Sequence, residues 1–203
     1  MRKSTVGLLV LVFMISTLST VLARSPKAKG PERGRAFQPN LVEKALQTDD
    51  TSTLVNVILT VDGAIEEAGL VDLLSGKRHY TVFAPTNDAF DSLFDVVGTL
   101  PEECRPDLTD PNVLLAVLEY HLARGDKRAS GLINSGAVRM LNDDVAMIGV
   151  DSEGAFIHNF PINSRIEAAD IRTSNGIIHL ISEVLIPPTV AQAIQDCVAD
   201  VEE

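Results

Sequence analysis

Between Leu41 and Ser75 apolar residues recur every three or four positions: Leu41, Val42, Ala45 and Leu46, then Leu54, Val55, Ile58 and Leu59, then Leu70, Val71, Leu73 and Leu74. That period lays a single apolar stripe along a 3.6-residue helix, so the segment predicts two or three amphipathic helices. At His79–Thr86 the pattern changes to consecutive β-prone residues, Tyr80, Thr81, Val82 and Phe83. Pro85 has no N–H for a ladder and ends this short buried strand. Thr86, Asn87 and Asp88 then offer side-chain acceptors to the free N–H groups of a following helix, with Phe90, Leu93 and Phe94 on its inner face. Beyond turns at Pro101, Pro106 and Pro111, the apolar run Val113–Leu122 predicts a buried helix that stops before Gly125.

From Ala137 the spacing becomes that of strands. Val138 and Met140, then Val145–Val150, a turn at Asp151–Gly154, and Ala155–His158 form a meander of hairpins. Ser164–Ile171 and Gly176–Ile186 read as further strands, the second long, apolar and halted by Pro187-Pro188. Asn175-Gly176 reads as a tight turn with a positive φ. Thr189–Val198 reads as a helical tail. Helices early and strands late, without regular alternation, predict one α+β domain. Its N-terminal helices pack on a mostly antiparallel β-sheet and a C-terminal helix follows.

Ahead of this domain the chain has two other textures. Residues 1–23 carry Arg2 and Lys3, an apolar run Val6–Ile15, and small residues ending at Ala23, the layout of a secretory signal peptide cleaved after Ala23. The apolar run is shorter than the roughly 20 residues that span a bilayer. With no Cys at the cleavage point and an acidic C-terminus, a soluble secreted or periplasmic protein without a membrane span is expected. Residues 24–40, rich in Pro, Gly, Lys and Arg, read as a flexible basic arm, because so little apolar surface cannot offset the entropy of ordering. The net charge of the whole chain is −11; with +2 in the first segment and +4 in the arm, the part from Leu41 to Glu203 holds −17. Such a domain repels nucleic acid, and with aromatics at 4% and no Trp it has little stacking surface for bases or sugars.

The motifs that carry chemistry are mostly missing. No His pairs with another His or Cys at metal spacing, and there is no nucleophile elbow, phosphate loop, dinucleotide fingerprint or calcium loop. No cofactor and no enzyme activity are expected, although a hydrolase site assembled only in space would leave no such trace. Cys104 and Cys197 are the only cysteines, and an even pair in an exported chain predicts a disulfide. Arg124-Gly125-Asp126 spells the tripeptide that integrins read, in a loop after the apolar helix, where Gly125 has the alternative role of ending that helix.

Three ordered segments resemble the fasciclin (FAS1) family. They are Tyr80-Thr81-Val82-Phe83-Ala84-Pro85-Thr86-Asn87-Asp88-Ala89-Phe90, the pair Tyr120-His121, and Asp170-Ile171 followed by Asn175-Gly176-Ile177-Ile178-His179-Leu180-Ile181 and Val184-Leu185-Ile186-Pro187. Ser182 departs from the pattern, which often has an acidic residue there. The resemblance spans residues 41–198 and implies a fasciclin-like domain used in extracellular adhesion, with a protein or cell-surface or matrix component as partner and no catalytic residues. It also implies that Tyr120 and His121 contribute to partner contacts. The residues themselves point the other way, since Tyr120 follows Leu114, Leu115, Val117 and Leu118 on a core-facing helix, and His121, like His179, lies in an apolar run where a buried imidazole would satisfy backbone groups. A carrier of a small apolar ligand is the alternative function, because an aliphatic core can open a pocket between helices and sheet.

Overall fold

The computed structural model describes residues 38–65 and 68–201. The expected signal peptide and the arm up to residue 37 lie outside them. The helical half comprises α1 (Leu41–Leu46), α2 (Ser52–Ala64), α3 (Leu70–Ser75), α4 (Asn87–Thr99) and α5 (Pro111–Glu119), with β1 (Tyr80–Pro85) between α3 and α4. Then come β2 (Leu122–Arg124), α6 (Ala129–Ser135), β3 (Ala137–Arg139), β4 (Val145–Asp151), β5 (Gly154–Ile157), β6 (Ser164–Thr173), β7 (Gly176–Ile181) and α7 (Pro188–Val201). This is the expected α+β arrangement of N-terminal helices, antiparallel meander and C-terminal helix.

Local chemistry explains the helix starts. Asn40 accepts from the Glu43 N–H while the Glu43 carboxylate accepts from the Asn40 N–H, a reciprocal cap that opens α1. The Pro39 carbonyl accepts from the Ser174 N–H at 2.9 Å. Pro39 is thereby tied to the turn between β6 and β7. Thr86 caps α4, and Asp110, followed by Pro111, caps α5.

The strands lie in the order β2-β1-β7-β6-β5-β4-β3. Only β1 and β7 run parallel; every other neighbour is antiparallel. Just past β3, the Leu141 N–H donates to the Leu122 carbonyl at 2.7 Å, so the sheet curls until its two edges meet at one point. The two-residue period of β1 divides the core. Val82 and Ala84 pack with Leu54, Leu74 and Leu118 under the helices, whereas Phe83 packs inside the curl with Ile148, Ile157 and Ile181.

Several elements differ from the expectations, and β6 runs on to Thr173 rather than ending at Ile171. Helix α5 ends at Glu119 rather than Leu122, because Leu122–Arg124 pairs with Tyr80–Val82 as an edge strand. An apolar run of that length does not itself tell a helix end from a buried strand. Helix α6 was not expected; its stop signal is Gly136, which ends it at φ 66°. Strand β7 stops at Ile181, after which the Ser182 hydroxyl and backbone close its pairing with Arg165. Helix α7 is longer than expected at both ends. Cys104, in the short 3-10 turn Glu102–Cys104, is bonded to Cys197 in α7, with Cα atoms 5.6 Å apart.

Asn175-Gly176 has a different purpose from the one expected. Gly176 is not among the residues with positive φ. A Cβ there would instead overlap the Tyr80 carbonyl oxygen and reach Leu41 Cδ1 at 3.0 Å, so glycine is required by the close approach of β1 to β7. Asn175 is buried and joins the layers: its Oδ1 accepts from the Leu41 N–H at 2.9 Å, and its Nδ2 donates to the Leu74 and Gly76 carbonyls. Gly176→Ala should therefore destabilise the domain by about 1 to 3 kcal/mol through overpacking. A denaturation midpoint equal to the parent's would refute that reading.

Candidate functional site

Tyr120 and His121 close the end of α5, and both are buried. The His121 ring fixes its own tautomer. Nδ1 lies 2.7 Å from the Val117 carbonyl and donates to it, while Nε2 accepts from the Leu185 N–H at 2.9 Å. One ring thus satisfies an orphan carbonyl of the last helical turn and an N–H beyond the end of β7, where no ladder partner remains. Burial pushes the His121 pKa down to about 4, opposed by the bond to Val117. The Tyr120 hydroxyl takes no protein partner among the described residues, and burial pushes its pKa up, with the Asp144 carboxylate adding to the effect. The pair implied as a partner contact is therefore largely buried, and His121 also lines the apolar groove between α2, α4 and α5.

The exposed counterpart begins three residues later. Arg124 closes β2, Gly125 turns the chain at φ 81°, and Asp126, Lys127 and Arg128 follow on the surface before α6. Gly125 thus ends a strand rather than the helix. This loop is held by side chains on three strands, two of them buried. On β1, the Thr81 hydroxyl donates to the Gly125 carbonyl at 2.7 Å and accepts from the Lys127 N–H at 2.8 Å. On β7, His179 Nε2 donates to the Lys127 carbonyl at 2.8 Å while its Nδ1 accepts from the Asp170 N–H at 3.3 Å. On β6, Asp170, at φ 59°, accepts from the Ala129 N–H through its carboxylate at 3.0 Å. Thr81 and His179 are fully buried, and burial lowers the His179 pKa, with the bond to Lys127 opposing. At the surface the Asp126 carboxylate accepts from His79 Nδ1 at 3.0 Å, with both side chains about half exposed.

Sequence reasoning found Arg124, Gly125 and Asp126, and it read His179 as a buried imidazole that satisfies backbone groups, but it missed the fasteners Thr81 and Asp170. Both lie inside the family-like segments, where they read only as strand residues. The signal available was chemical: polar side chains in buried strands need partners, and here the partners are loop backbone groups.

Two concavities matter under the helices. A crevice beneath α1 and α2 holds about 40 Å³, too little for an organic ligand. A larger groove of about 240 Å³ lies between α2, α4 and α5, lined by Val57, Phe90, Phe94, Leu114, Val117 and Ile186. Phe94 stands at its lip with 55% exposure. Among the described residues no group of three or more His, Cys, Asp and Glu is placed to hold a metal ion, and no helix is long and apolar enough to cross a membrane.

The family model for the Fasciclin domain matches residues 57–187, more than half of the chain. The chain belongs to the fasciclin family. Protein sll1483 of Synechocystis sp. is 34% identical over 147 residues, which cover 70% of this chain and 77% of that protein. The cell surface glycolipoprotein MPB83 of Mycobacterium bovis is 30% identical over 168 residues, covering 82% of this chain and 68% of MPB83. Human Stabilin-1 is 31% identical over 127 residues, 62% of this chain but 5% of Stabilin-1. The chain thus spans most of some fasciclin relatives and a small part of others. Among solved structures, the FAS1 domain pair from the insect cell adhesion molecule Fasciclin I matches with a TM-score of 0.61 at 15% identity, covering 76% of this chain and 53% of that one. At that identity the likeness concerns the fold.

Proposed function

We propose that this protein is an exported, non-catalytic adhesion or partner-binding module, whose contact surface is centred on the loop Arg124–Arg128. The observation that carries the reading is the way the loop is held. Buried Thr81 and His179, with Asp170, direct their hydrogen-bonding capacity at the backbone of an exposed, charged loop. A rigid scaffold presenting a fixed loop is the usual arrangement of a recognition surface, because little ordering entropy remains to be lost on binding. Export is supported by the N-terminal pattern and the Cys104–Cys197 disulfide. Surface placement is supported by the relative whose name carries it, the cell surface glycolipoprotein MPB83, and adhesion by membership of the fasciclin family.

The test is capture. The exported protein, immobilised, should retain cells or matrix of its own source and enrich a defined surface component. Retention no greater than that of an immobilised protein of equal charge would sink the proposal.

The groove beside Phe94 favours a second reading, a carrier of a small apolar ligand, since its lining is mostly aliphatic and aromatic, with Thr53, Asn56, Thr60 and His121 as its polar members. Solvent extraction of the exported protein followed by mass spectrometry should then recover one lipid in near-stoichiometric amount. A lipid-free extract would leave adhesion as the sole reading.

A further inference from the structure

The loop forms one wall of a basin of about 460 Å³ between the ends of β2 and β3. Arg124, Lys127 and Arg128 stand on that wall, Arg139 stands on the other, and buried Leu132, Val138 and Met140 underlie them. Four of the ten Lys and Arg residues that follow Leu41 therefore converge on one cleft of a domain whose net charge is −17. The basin has two acids of its own, and both have cationic or histidine neighbours: Asp126 bonds His79, and Asp143 lies 3.5 Å from Arg139. Arg124, Lys127 and Arg128 form no ion pair among the described residues. Gathering cations in a cleft focuses a positive field there against the negative field of the remaining surface.

We infer that this basin is a binding site for the acidic groups, carboxylate or sulfate, of an anionic polysaccharide. The inference rests on the adhesion reading and names the chemistry of its partner. A slender chain can enter a basin of this size while avoiding the acidic surface around it. A broad acidic protein would press that surface against its own charge. With 4% aromatic residues and no Trp, the protein offers little stacking for neutral sugar faces, so recognition falls to the guanidinium and ammonium donors. Guanidinium groups match the planar geometry of carboxylates and the oxygen faces of sulfates through paired N–H donors. The hydrogen bonds that the loop backbone makes with Thr81, Asp170 and His179 fix the segment that carries three of the four cations, so the positive wall is present before any ligand arrives.

The experiment is titration of the exported protein with polygalacturonate, dextran sulfate and uncharged dextran, at low and at high salt. The expected result is binding to at least one acidic polymer, none to dextran, and weakening as salt rises. The arm that binds more tightly identifies the acidic group. R124Q/K127Q/R128Q, all exposed positions, should weaken binding by about tenfold or more with melting unchanged. R139Q on the opposite wall should weaken it less, and K44Q on α1 not at all. If the triple variant folds poorly, R139Q and K127Q measured singly decide the matter. Absence of binding to both acidic polymers, or binding that the basin variants leave unchanged, overturns the inference. Capture of a surface protein without polymer binding would leave the adhesion reading standing and reject this one; polymer binding without capture would do the reverse.

Discussion

Replacing both Cys104 and Cys197 by Ser should lower the stability of the domain by about 4 to 5 kcal/mol, because the bond closes a chain loop with a sequence separation of 93. In the chain-entropy account the effect lies mainly in the unfolded state, which regains the freedom that the cross-link removes. The native contacts of α7 then have to hold it alone. Only Ala191 and Ile194 among its residues are buried, and the helix meets the 3-10 turn at Glu102–Cys104 as its chief neighbour through that bond. Two results are expected together: a lower denaturant midpoint for the whole domain, and earlier proteolytic cleavage within Pro188–Val201. A double-Ser variant with the parent's midpoint and the parent's resistance in α7 would show that packing alone holds the helix.

Much of this fold is readable from pattern. The period of α1 to α4, the corner at Pro85-Thr86 and the meander from Ala137 all follow from apolar spacing and from residues that cannot continue a ladder. What could not be read shares a physical cause. Leu122–Arg124 continues an apolar helix pattern, and only the need of β1 for an edge partner makes it a strand. Gly176 looks like a turn glycine next to Asn175, yet the cause is the Tyr80 carbonyl of a strand nearly a hundred positions earlier. Val184–Ile186 continues the apolar run of β7, but its N–H groups go to His121 and Asn159 instead of a ladder. In each case a long-range contact overrides a local signal.

The site shows the same division. Arg124-Gly125-Asp126 is visible as a string, whereas its presentation depends on Thr81, Asp170 and His179, which no spacing connects to it. Tyr120 and His121 are visible as a pair, whereas the backbone groups that His121 holds, at Val117 and Leu185, are not. The backbone of β2 leaves directly from His121, whose carbonyl accepts from the Phe83 N–H at 2.9 Å. Disturbing that residue would displace the strand that delivers Arg124 to the surface.

Acid should therefore act on the domain through His121. The ring is buried and neutral, and Nε2 must accept from the Leu185 N–H; protonation would turn that acceptor into a donor facing a donor. In the unfolded chain the imidazole takes its proton near the ordinary value of about 6.5. In the folded domain burial holds it off until about 4. Between these two values the unfolded state binds more protons, so stability is complete above about pH 6.5 and falls as pH is lowered toward 4. The loss over that window is about 3 kcal/mol. His179, whose pKa is also lowered by burial, acts in the same sense. Carboxylates whose pKa is depressed, Asp107 and Asp151, lose their contribution only at lower pH, below the ordinary carboxylate range. Relief of the −17 self-repulsion on acidification acts in the opposite direction, so the comparison must be with a variant that shares that background. His121→Asn should be less stable than the parent at pH 7.5 and should lose less of its remaining stability between pH 6.5 and 4. Urea midpoints measured across that range decide it: converging curves are the expected result, and parallel curves would show that His121 is not the group that acid titrates.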